Sequence, residues 1–495
     1  MREGYSLSIA ALLGAVMPLA FAPFSIWPLA LISPALLFLL VDREMPMRRL
    51  FLHGWLFGNG YFGFGIYWTY NSLHDFGQAP PIVAAFIAAL LIVYLALFPA
   101  CCLCAGQWCK RQFGQRAIWL LPIFWFAFEW LRGWLLTGMP WLTIGYAYTE
   151  SPLSSFGAIV GVYGVGALGI LMSVSFMLVM RKRYKPVIAI VLIPVVGLLL
   201  QNIQWTDEKN EPIKVAIVQG NIPQELKWRY EQRQNIFNVY WRETSQLWDN
   251  DLIVWPETAL PGRSEDIQES IIEPVSNEAV NQNSQILTGV IVSDEANRRY
   301  YNSLMLLGER QGVYHKRHLV IFGEYYPMRW LLDFLRGWIN IPYSDMTHGP
   351  EIQPLLSVGK LKLGLSICFE NVFSRDIMRD LPDANLLVNV SNDAWFGNSL
   401  APHQHLQMAQ MRAIEAGRAM VRSTNTGISA FIDERGKIVQ VSEQFKTQTL
   451  TDFIQGRAGV TPFYYFEKVQ GWLICIIFLT IALSIRLKGQ HFELN

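Results

Sequence analysis

Charged residues are scarce in this chain of 495 residues: 16% are Asp, Glu, Lys or Arg, whereas 52% are hydrophobic. A soluble domain usually contains about 25% charged residues, so a wholly soluble protein is not expected. The formal net charge is +1. Because this balance gives no general attraction to polyanions and no basic–aromatic patch is present, we expect no nucleic-acid partner.

Cysteine is also rare, with six in the chain. Cys101 and Cys104 form a C-x-x-C pair, but no second pair or nearby His completes a metal site. His403 and His405 lack neighbouring acids or cysteines, and we expect them to cap or anchor the helix that follows. No Gly-rich phosphate loop occurs. We therefore expect no cofactor and no metal. Cys368 is the one cysteine of the polar segment, which excludes a disulfide there and leaves a free thiol.

Eight apolar runs approach the length of roughly 20 residues that crosses a bilayer. They are Ser6–Phe24, Ile26–Val41, Phe51–Tyr70, Ile82–Cys104, Ala117–Leu136, Phe156–Met180, Pro186–Leu200 and Gly471–Leu487. They could instead be buried helices of a large soluble protein. The distribution of charge between them favours a membrane bundle of about eight transmembrane helices.

Basic residues are concentrated in alternate loops between these runs. Residues 1–203 contain 12 Lys and Arg against 6 Asp and Glu, and the loops 43–49, 110–116 and 181–185 hold most of the basic ones. The positive-inside rule places these loops and both termini in the cytoplasm, and the large polar segment on the other side. In the fifth run, Glu129 and Arg132 have the spacing of a helical ion pair.

The polar segment alternates between strand and helix patterns, which indicates an α/β sandwich. The predicted strands are Lys214–Gly220, Leu252–Trp255, Ile286–Val292, Ser303–Leu307, Leu361–Cys368, Leu386–Val390 and Ile428–Asp433, and the predicted helices are Tyr230–Asp249, Asp266–Ala279 and His403–Gly417. We predict three domains: residues 1–203 with seven helices, residues 204–467 as the catalytic domain, and residues 468–495 with the last helix and a cytoplasmic tail.

Three strand-like stretches end on residues that could together supply a nucleophile, its base and a positive charge for an oxyanion. Glu257 follows Leu252–Trp255, Lys316 follows a short run from Gly312, and Cys368 ends the strand that begins at Leu361. A carboxylate could deprotonate the thiol, and an ammonium could stabilise an oxyanion and lower the pKa of the thiol. For an isolated cysteine, an inert core position is the commoner alternative.

Longer motifs around these residues resemble the nitrilase superfamily. They are Trp-Pro-Glu-Thr at 255–258, Lys-Arg-His-Leu-Val-Ile-Phe-Gly-Glu-Tyr at 316–325, Ser-Ile-Cys-Phe-Glu at 366–370, Asn-Val-Ser-Asn-Asp-Ala-Trp-Phe-Gly at 389–397, Pro-His-Gln-His at 402–405 and Arg-Ser-Thr-Asn-Thr-Gly at 422–427. With the apolar runs, the chain is similar over nearly its whole length to the bacterial apolipoprotein N-acyltransferase family.

This resemblance implies a nitrilase-like α-β-β-α sandwich with Glu257, Lys316 and Cys368 as catalytic triad. It implies a phospholipid acyl donor, with phosphatidylethanolamine expected, and a thioester on Cys368. The acceptor would be the α-amine of a diacylglyceryl-cysteine on an apolipoprotein. The implied location is the bacterial inner membrane, with a periplasmic catalytic domain, and we expect a monomer.

The resemblance also implies supporting or substrate-binding roles for five residues: Trp228, Asn302, Glu324, Phe369 and Glu370. Several have simpler explanations. Asn302 could be a strand-edge residue, and Glu370 a buried partner that orients Lys316. Phe369 stands where the family commonly has Tyr. The loops 221–229, 321–348 and 394–402 are long and aromatic-rich, and are predicted to dip into lipid or to cover the site.

Two other functions remain open from the sequence. A membrane-anchored amidohydrolase would use the same triad on a small soluble amide, with water as second nucleophile. A transporter or scaffold would use the outer domain only for binding, although such a domain has no need of Glu257, Lys316 and Cys368.

Overall fold

The structure is a computed structural model that describes residues 3–41, 45–325 and 345–493. Most of the predicted covering loop 321–348 therefore lies outside the described residues. The chain divides into two compact units. The first comprises Met1–Gly65, Leu90–Ile203 and Thr461–Asn495, and the second comprises Ile66–Ala89 and Gln204–Val460.

Long apolar helices make up the first unit, and each of the eight predicted runs overlaps one. These helices are Glu3–Val16, Pro28–Val41, Met47–Gly65, Pro81–Phe113, Leu121–Arg132, Gly157–Met180, Val187–Leu200 and Pro462–Glu493. Among the described residues, three segments are long and apolar enough to cross a membrane, namely Pro81–Phe113, Pro152–Met180 and Pro462–Ser484. The first unit is thus helical and apolar, as predicted, and the count of eight spans stays a prediction.

The fifth run departs from a continuous helix, and its two charges explain the local structure. The α-helix covers only Leu121–Arg132, after a 3₁₀ turn. Arg132 Nη2 lies 3.8 Å from Glu129 Oε1, so the predicted pair is present. Arg132 also donates 2.6 Å hydrogen bonds to the carbonyls of Met139 and Trp141, and Glu129 accepts one from the Ile144 N–H. The pair therefore fixes the irregular segment that follows the helix.

The second unit contains two six-stranded sheets. The strands are β1 Asp207–Glu208, β2 Ile213–Gln219, β3 Leu252–Val254, β4 Gln285–Asp294, β5 Arg299–Leu307, β6 Gly312–His315, β7 Ser357–Val358, β8 Leu361–Ile367, β9 Leu386–Ser391, β10 Met420–Thr424, β11 Ala430–Ile432, β12 Ile438–Val441, β13 Gln448–Ile454 and β14 Arg457–Ala458. One sheet has the order β13-β2-β3-β4-β5-β6 and the other β12-β11-β10-β9-β8-β7, while β1 pairs with β14. The centres are parallel, β2-β3-β4 in the first sheet and β8-β9-β10 in the second.

The two sheets pack face to face, with helices outside. Strand residues alternate between faces. Val215 and Ile217 of β2 share a buried cluster with Leu365 and Ile367 of β8. Ala216 and Val218 instead pack in a second cluster with residues of the helices Arg233–Thr244 and Glu273–Asn281. The helices Ser374–Arg379 and Ala401–Ala416 lie beside the second sheet. The unit is the predicted α-β-β-α sandwich.

Candidate active site

Glu257, Lys316 and Cys368 all lie just beyond strand ends. Glu257 is the third residue after β3, Lys316 follows β6 directly, and Cys368 follows β8 directly. Pro256 has no N–H to continue a ladder, which suits the end of β3. Since β3 and β6 belong to one sheet and β8 to the other, face-to-face packing brings the three residues to one edge of the sandwich.

Lys316 lies between two carboxylates. Its Nζ is 2.9 Å from Glu324 Oε2 and 3.6 Å from Glu257 Oε1, and its side chain is 1% exposed. Burial by itself lowers the pKa of Lys316, but Glu324 and Glu257 outweigh burial and raise it. Lys316 is therefore a permanent buried cation, which suits it to stabilise negative charge on a reacting oxygen.

Asn302 joins the same two carboxylates from β5. Its Nδ2 donates to Glu257 Oε1 at 2.8 Å and to Glu324 Oε1 at 2.7 Å. The other oxygen of Glu257 accepts the backbone N–H of Asn392 at 2.8 Å. Asn302 is thus more than a strand-edge residue, because it fixes the spacing of the two glutamates around Lys316.

The Cys368 backbone has a left-handed conformation, with φ of 52°, at the start of a short 3₁₀ helix. Burial and the nearby Glu257 raise the pKa of the Cys368 thiol, while Lys316 acts in the opposite direction. The predicted lowering by Lys316 is present but is outweighed. The resting thiol is therefore protonated, and it would need a base in order to act as a nucleophile.

Glu370 connects the segments that carry Lys316 and Cys368. It accepts hydrogen bonds from the backbone N–H groups of Arg317 at 2.5 Å and His318 at 3.0 Å on one side, and from that of Ile367 at 2.7 Å on the other. Burial raises the pKa of Glu370 to about 7. Its described hydrogen bonds position Lys316 through the neighbouring backbone, and none of them is with the ammonium.

The other two predicted residues lie at the margin of this cluster. The ring of Phe369 packs beside His318 and Phe373, with centroids 5.9 and 5.1 Å away. Trp228 is half-buried and follows the short helix Gln224–Lys227.

The sequence interpretation missed Lys227. Lys227 is buried and donates a 3.0 Å hydrogen bond from Nζ to the backbone carbonyl of Glu257. Burial lowers the pKa of Lys227 to about 8, although Glu257 and Cys368 act in the opposite direction. The resemblance to the family pointed to its neighbour Trp228, whereas nothing in the local sequence distinguishes Lys227 from other lysines.

The His-x-His motif also lies close to the nucleophile. The helix predicted from His403 begins at Ala401, so His403 and His405 lie in its first turns, and His405 anchors it through the contacts that follow. His405 Nε2 is 3.2 Å from the carbonyl oxygen of Cys368, and Nδ1 is 3.0 Å from Arg422 Nη2. Within the described residues, no group of three or more His, Cys, Asp or Glu could hold a metal. His405 thus supports the backbone of Cys368.

A segment from the N-terminal part of the chain packs in the second unit. Trp68 contacts the ring of Phe396 with centroids 4.7 Å apart, and the Ser72 hydroxyl donates a 2.7 Å hydrogen bond to the carbonyl of Trp395. Trp395 and Phe396 belong to the predicted aromatic loop 394–402. This loop is therefore partly covered by residues that the sequence interpretation assigned to the third apolar run and the following connection.

A partly buried thiol beside a buried carboxylate and ammonium, at the strand ends of an α-β-β-α sandwich, defines a nitrilase-like domain, and sequence comparison agrees. The carbon-nitrogen hydrolase family profile matches residues 214–462, and that of the apolipoprotein N-acyltransferase N-terminal domain matches residues 13–175.

Similar curated proteins cover both parts of the chain. The apolipoprotein N-acyltransferase of Methylococcus capsulatus is 41% identical, over 91% of this chain and 90% of its own. That of Coxiella burnetii is 37% identical, over 95% of this chain and 99% of its own. The chain belongs to the apolipoprotein N-acyltransferase family. Among solved structures, the CN-hydrolase superfamily protein XC1258 of Xanthomonas campestris aligns with 50% of this chain and 91% of its own, at 18% identity and a TM-score of 0.38.

Proposed function

We propose that this protein is an apolipoprotein N-acyltransferase that works through a thioester on Cys368. The observation that carries the proposal is the cluster of buried Glu257 and Lys316 with the partly buried Cys368 in a chain of this family. The apolar helices of the first unit add support, because substrates that reside in a bilayer require an enzyme held at its surface.

In the first half-reaction, Glu257 takes the proton of the Cys368 thiol, and the thiolate attacks the ester carbonyl of a phospholipid acyl chain. Lys316 stabilises the oxyanion, since it stays charged between Glu257 and Glu324. Glu257 then returns the proton to the leaving alcohol. A lyso-phospholipid departs, and the acyl chain remains on the sulfur as a thioester.

In the second half-reaction, the α-amine of a diacylglyceryl-cysteine at the N-terminus of an apolipoprotein attacks the thioester. The C–N bond forms, the C–S bond breaks and the thiol returns. Water must stay out while the thioester waits for this amine. The aromatic residues Trp395 and Phe396, which lie a few residues after Asn392, provide an apolar surface for this purpose.

The proposed setting is the bacterial inner membrane, with about eight spanning helices, the catalytic domain in the periplasm and both termini in the cytoplasm. The basic loops of residues 1–203 support this orientation. Phosphatidylethanolamine is the proposed donor. The enzyme is proposed to act as a monomer, because Glu257, Lys316, Cys368 and their hydrogen-bond partners all come from a single chain.

The first test is the intact mass of the purified protein after incubation with phosphatidylethanolamine alone. We expect a mass increase of one acyl chain that hydroxylamine removes and that is absent in Cys368→Ala. Addition of a diacylglyceryl peptide should then discharge the adduct as an amide. If no adduct forms although the thiol reacts with alkylating reagents, phospholipid is not the donor, and release of ammonia from small amides would instead establish a hydrolase.

A further inference from the structure

Lys227 is a second buried lysine beside the nucleophile, and its surroundings differ from those of Lys316. It is 2% exposed, and its Nζ donates to the Glu257 carbonyl at 3.0 Å. Among the residues that the structure describes, no carboxylate lies within 4.0 Å of this nitrogen. The titratable groups that face it are Glu257, after β3, and Cys368, after β8, while Glu225 on its own helix is exposed.

The two lysines can therefore hold different protonation states. Lys316 lies between the carboxylates of Glu324 and Glu257, which stabilise its protonated, charged form. Burial disfavours the charged form of Lys227, whose amine bonds to a neutral carbonyl, so Lys227 gives up its proton more readily than Lys316. A neutral Lys227 can donate one N–H to the Glu257 carbonyl and still offer its lone pair. It is thus a candidate proton acceptor.

The proposed second half-reaction needs such an acceptor. An α-amino group has a pKa of about 7.7–8.0, so much of the acceptor arrives as an ammonium ion without a lone pair. In the proposed mechanism the Glu257 carboxylate carries the proton that must reach the sulfur, so the extra proton of the ammonium ion needs a second acceptor. We propose that Lys227 takes the proton from the acceptor α-ammonium group before the amine attacks the thioester. The inference rests on the proposed function.

The pKa of Lys227, lowered to about 8 by burial despite Glu257 and Cys368, suits this exchange. Lys227 takes one proton from the ammonium, and the amine nitrogen then attacks the acyl carbon. Glu257 takes a second proton from that nitrogen and gives it to the Cys368 sulfur as the C–S bond breaks. The amide keeps one N–H, and Lys227 releases its proton to water when the product leaves.

The test separates the two half-reactions in the full-length protein in detergent. Thioester formation is followed by intact mass with phosphatidylethanolamine alone, and transfer to a diacylglyceryl-cysteine peptide is followed in a single turnover from about pH 6 to 9.5. The variants are Lys227→Met, Lys227→Arg and, as a control lysine on the surface of the same unit, Lys437→Met. Arginine keeps the charge but does not accept a proton at these pH values.

We expect Lys227→Met and Lys227→Arg to slow transfer far more than thioester formation. Their transfer at pH 7 should be about 10²-fold slower, the scale of a lost general base. The deficit should shrink towards pH 9.5, where the acceptor amine is already neutral. Lys437→Met should match the wild type in both steps.

Two results would overturn the proposal. One is wild-type transfer by Lys227→Met at pH 7. The other is a defect that Lys227→Arg restores, or that affects both half-reactions equally at every pH, because either pattern assigns Lys227 an electrostatic or structural role. Absence of any adduct on the wild-type enzyme would instead refute the proposed function itself.

Discussion

At the scale of single residues, the buried charges of the site compensate one another, and each would cost free energy if it were buried alone. Glu257 and Glu324 are buried within hydrogen-bonding distance of one amide, Asn302, and Lys316 lies between them. Removing one member of such a group leaves an uncompensated buried charge. The Cys368 thiol beside them has a raised pKa. In the proposed mechanism Cys368 is therefore stored as a thiol, and Glu257 is needed as a base at each attack.

Lys316→Met tests this balance through the thiol itself. Lys316 opposes the effects of burial and Glu257 on the pKa of Cys368, so its loss should raise that pKa further. We expect alkylation of Cys368 by iodoacetamide to increase with pH beyond about 8.5, the usual thiol pKa. In Lys316→Met the increase should begin at higher pH, with a rate at pH 8.5 about tenfold lower. Site-resolved peptide mass spectrometry separates Cys368 from the other cysteines.

The matched control is Lys362→Met, an exposed lysine on β8 that precedes the same nucleophile. Its alkylation profile should equal that of the wild type. An unchanged or faster alkylation of Lys316→Met, with a melting temperature near the wild-type value, would show that Lys316 does not act on the thiol.

At the scale of elements, strand ends position the triad and a glycine permits one of the approaches. The turn that carries Glu257 lies against Gly289 of β4, where an added Cβ would stand 2.2 Å from the Thr258 backbone nitrogen. The Gly289 N–H also donates to the Pro256 carbonyl at 3.2 Å. Any larger residue at 289 must push the turn, and Glu257 with it, away from Asn302.

Gly289→Ala adds only one methyl group, yet it should clearly lower the rate of thioester formation. A displacement of about 1 Å at a catalytic group costs on the order of 10²-fold in rate, and overpacking costs about 1–3 kcal/mol of stability. We expect Gly289→Ala to form the thioester on the order of 10²-fold more slowly than the wild type and to have a lower melting temperature. The measurements are intact-mass kinetics and thermal unfolding.

Gly364→Ala, in β8 of the other sheet, is the control, because its added methyl would meet mainly the flexible end of Leu387 at 2.9 Å. Its rate should stay within a few-fold of the wild type. If both substitutions reduce the rate equally, the close approach at Gly289 does not position Glu257.

The elements also show where sequence reasoning succeeds and fails. Alternation in β2 and β8 made those strands predictable, since one face of each enters the core between the sheets. β10 was missed, because Arg422, Ser423 and Thr424 are polar and yet buried, so no alternation is visible. Arg422 makes tertiary contacts with Asn389, Asp393 and His405, which no local pattern reveals.

In the candidate site, too, some residues could be predicted from the sequence and others could not. Glu257, Lys316 and Cys368 could be proposed because each ends a recognisable strand and lies in a longer motif. Lys227 could not, since it is defined by a contact with a backbone carbonyl 30 residues away in the chain. His405 lies in a recognised motif, but its contact with the Cys368 carbonyl, 37 residues away, could not be predicted. Such contacts depend on how the two sheets meet and not on local sequence.

At the scale of the whole molecule, the apolar composition and the charge pattern carry separate information. The helices Pro81–Phe113 and Pro462–Glu493 follow from composition alone. Composition did not indicate that the segment Ile66–Ala89 belongs to the compact unit of the sandwich. Trp68 and Ser72 make their contacts with Phe396 and Trp395, far along the chain.

The charge pattern makes the remaining whole-molecule prediction, which is the orientation in the membrane. The basic loop 181–185 should face the cytoplasm and the sandwich should face the periplasm. We would replace the native cysteines by serine and introduce single cysteines at exposed positions, Arg183→Cys in the loop and Asn297→Cys in the sandwich. A membrane-impermeant maleimide applied to intact spheroplasts should label Asn297→Cys alone. Arg183→Cys should react only after permeabilisation, which also controls for its accessibility. Labelling of Arg183→Cys from outside would reverse the topology and place the thiol chemistry in the cytoplasm, where a periplasmic lipoprotein N-terminus is out of reach.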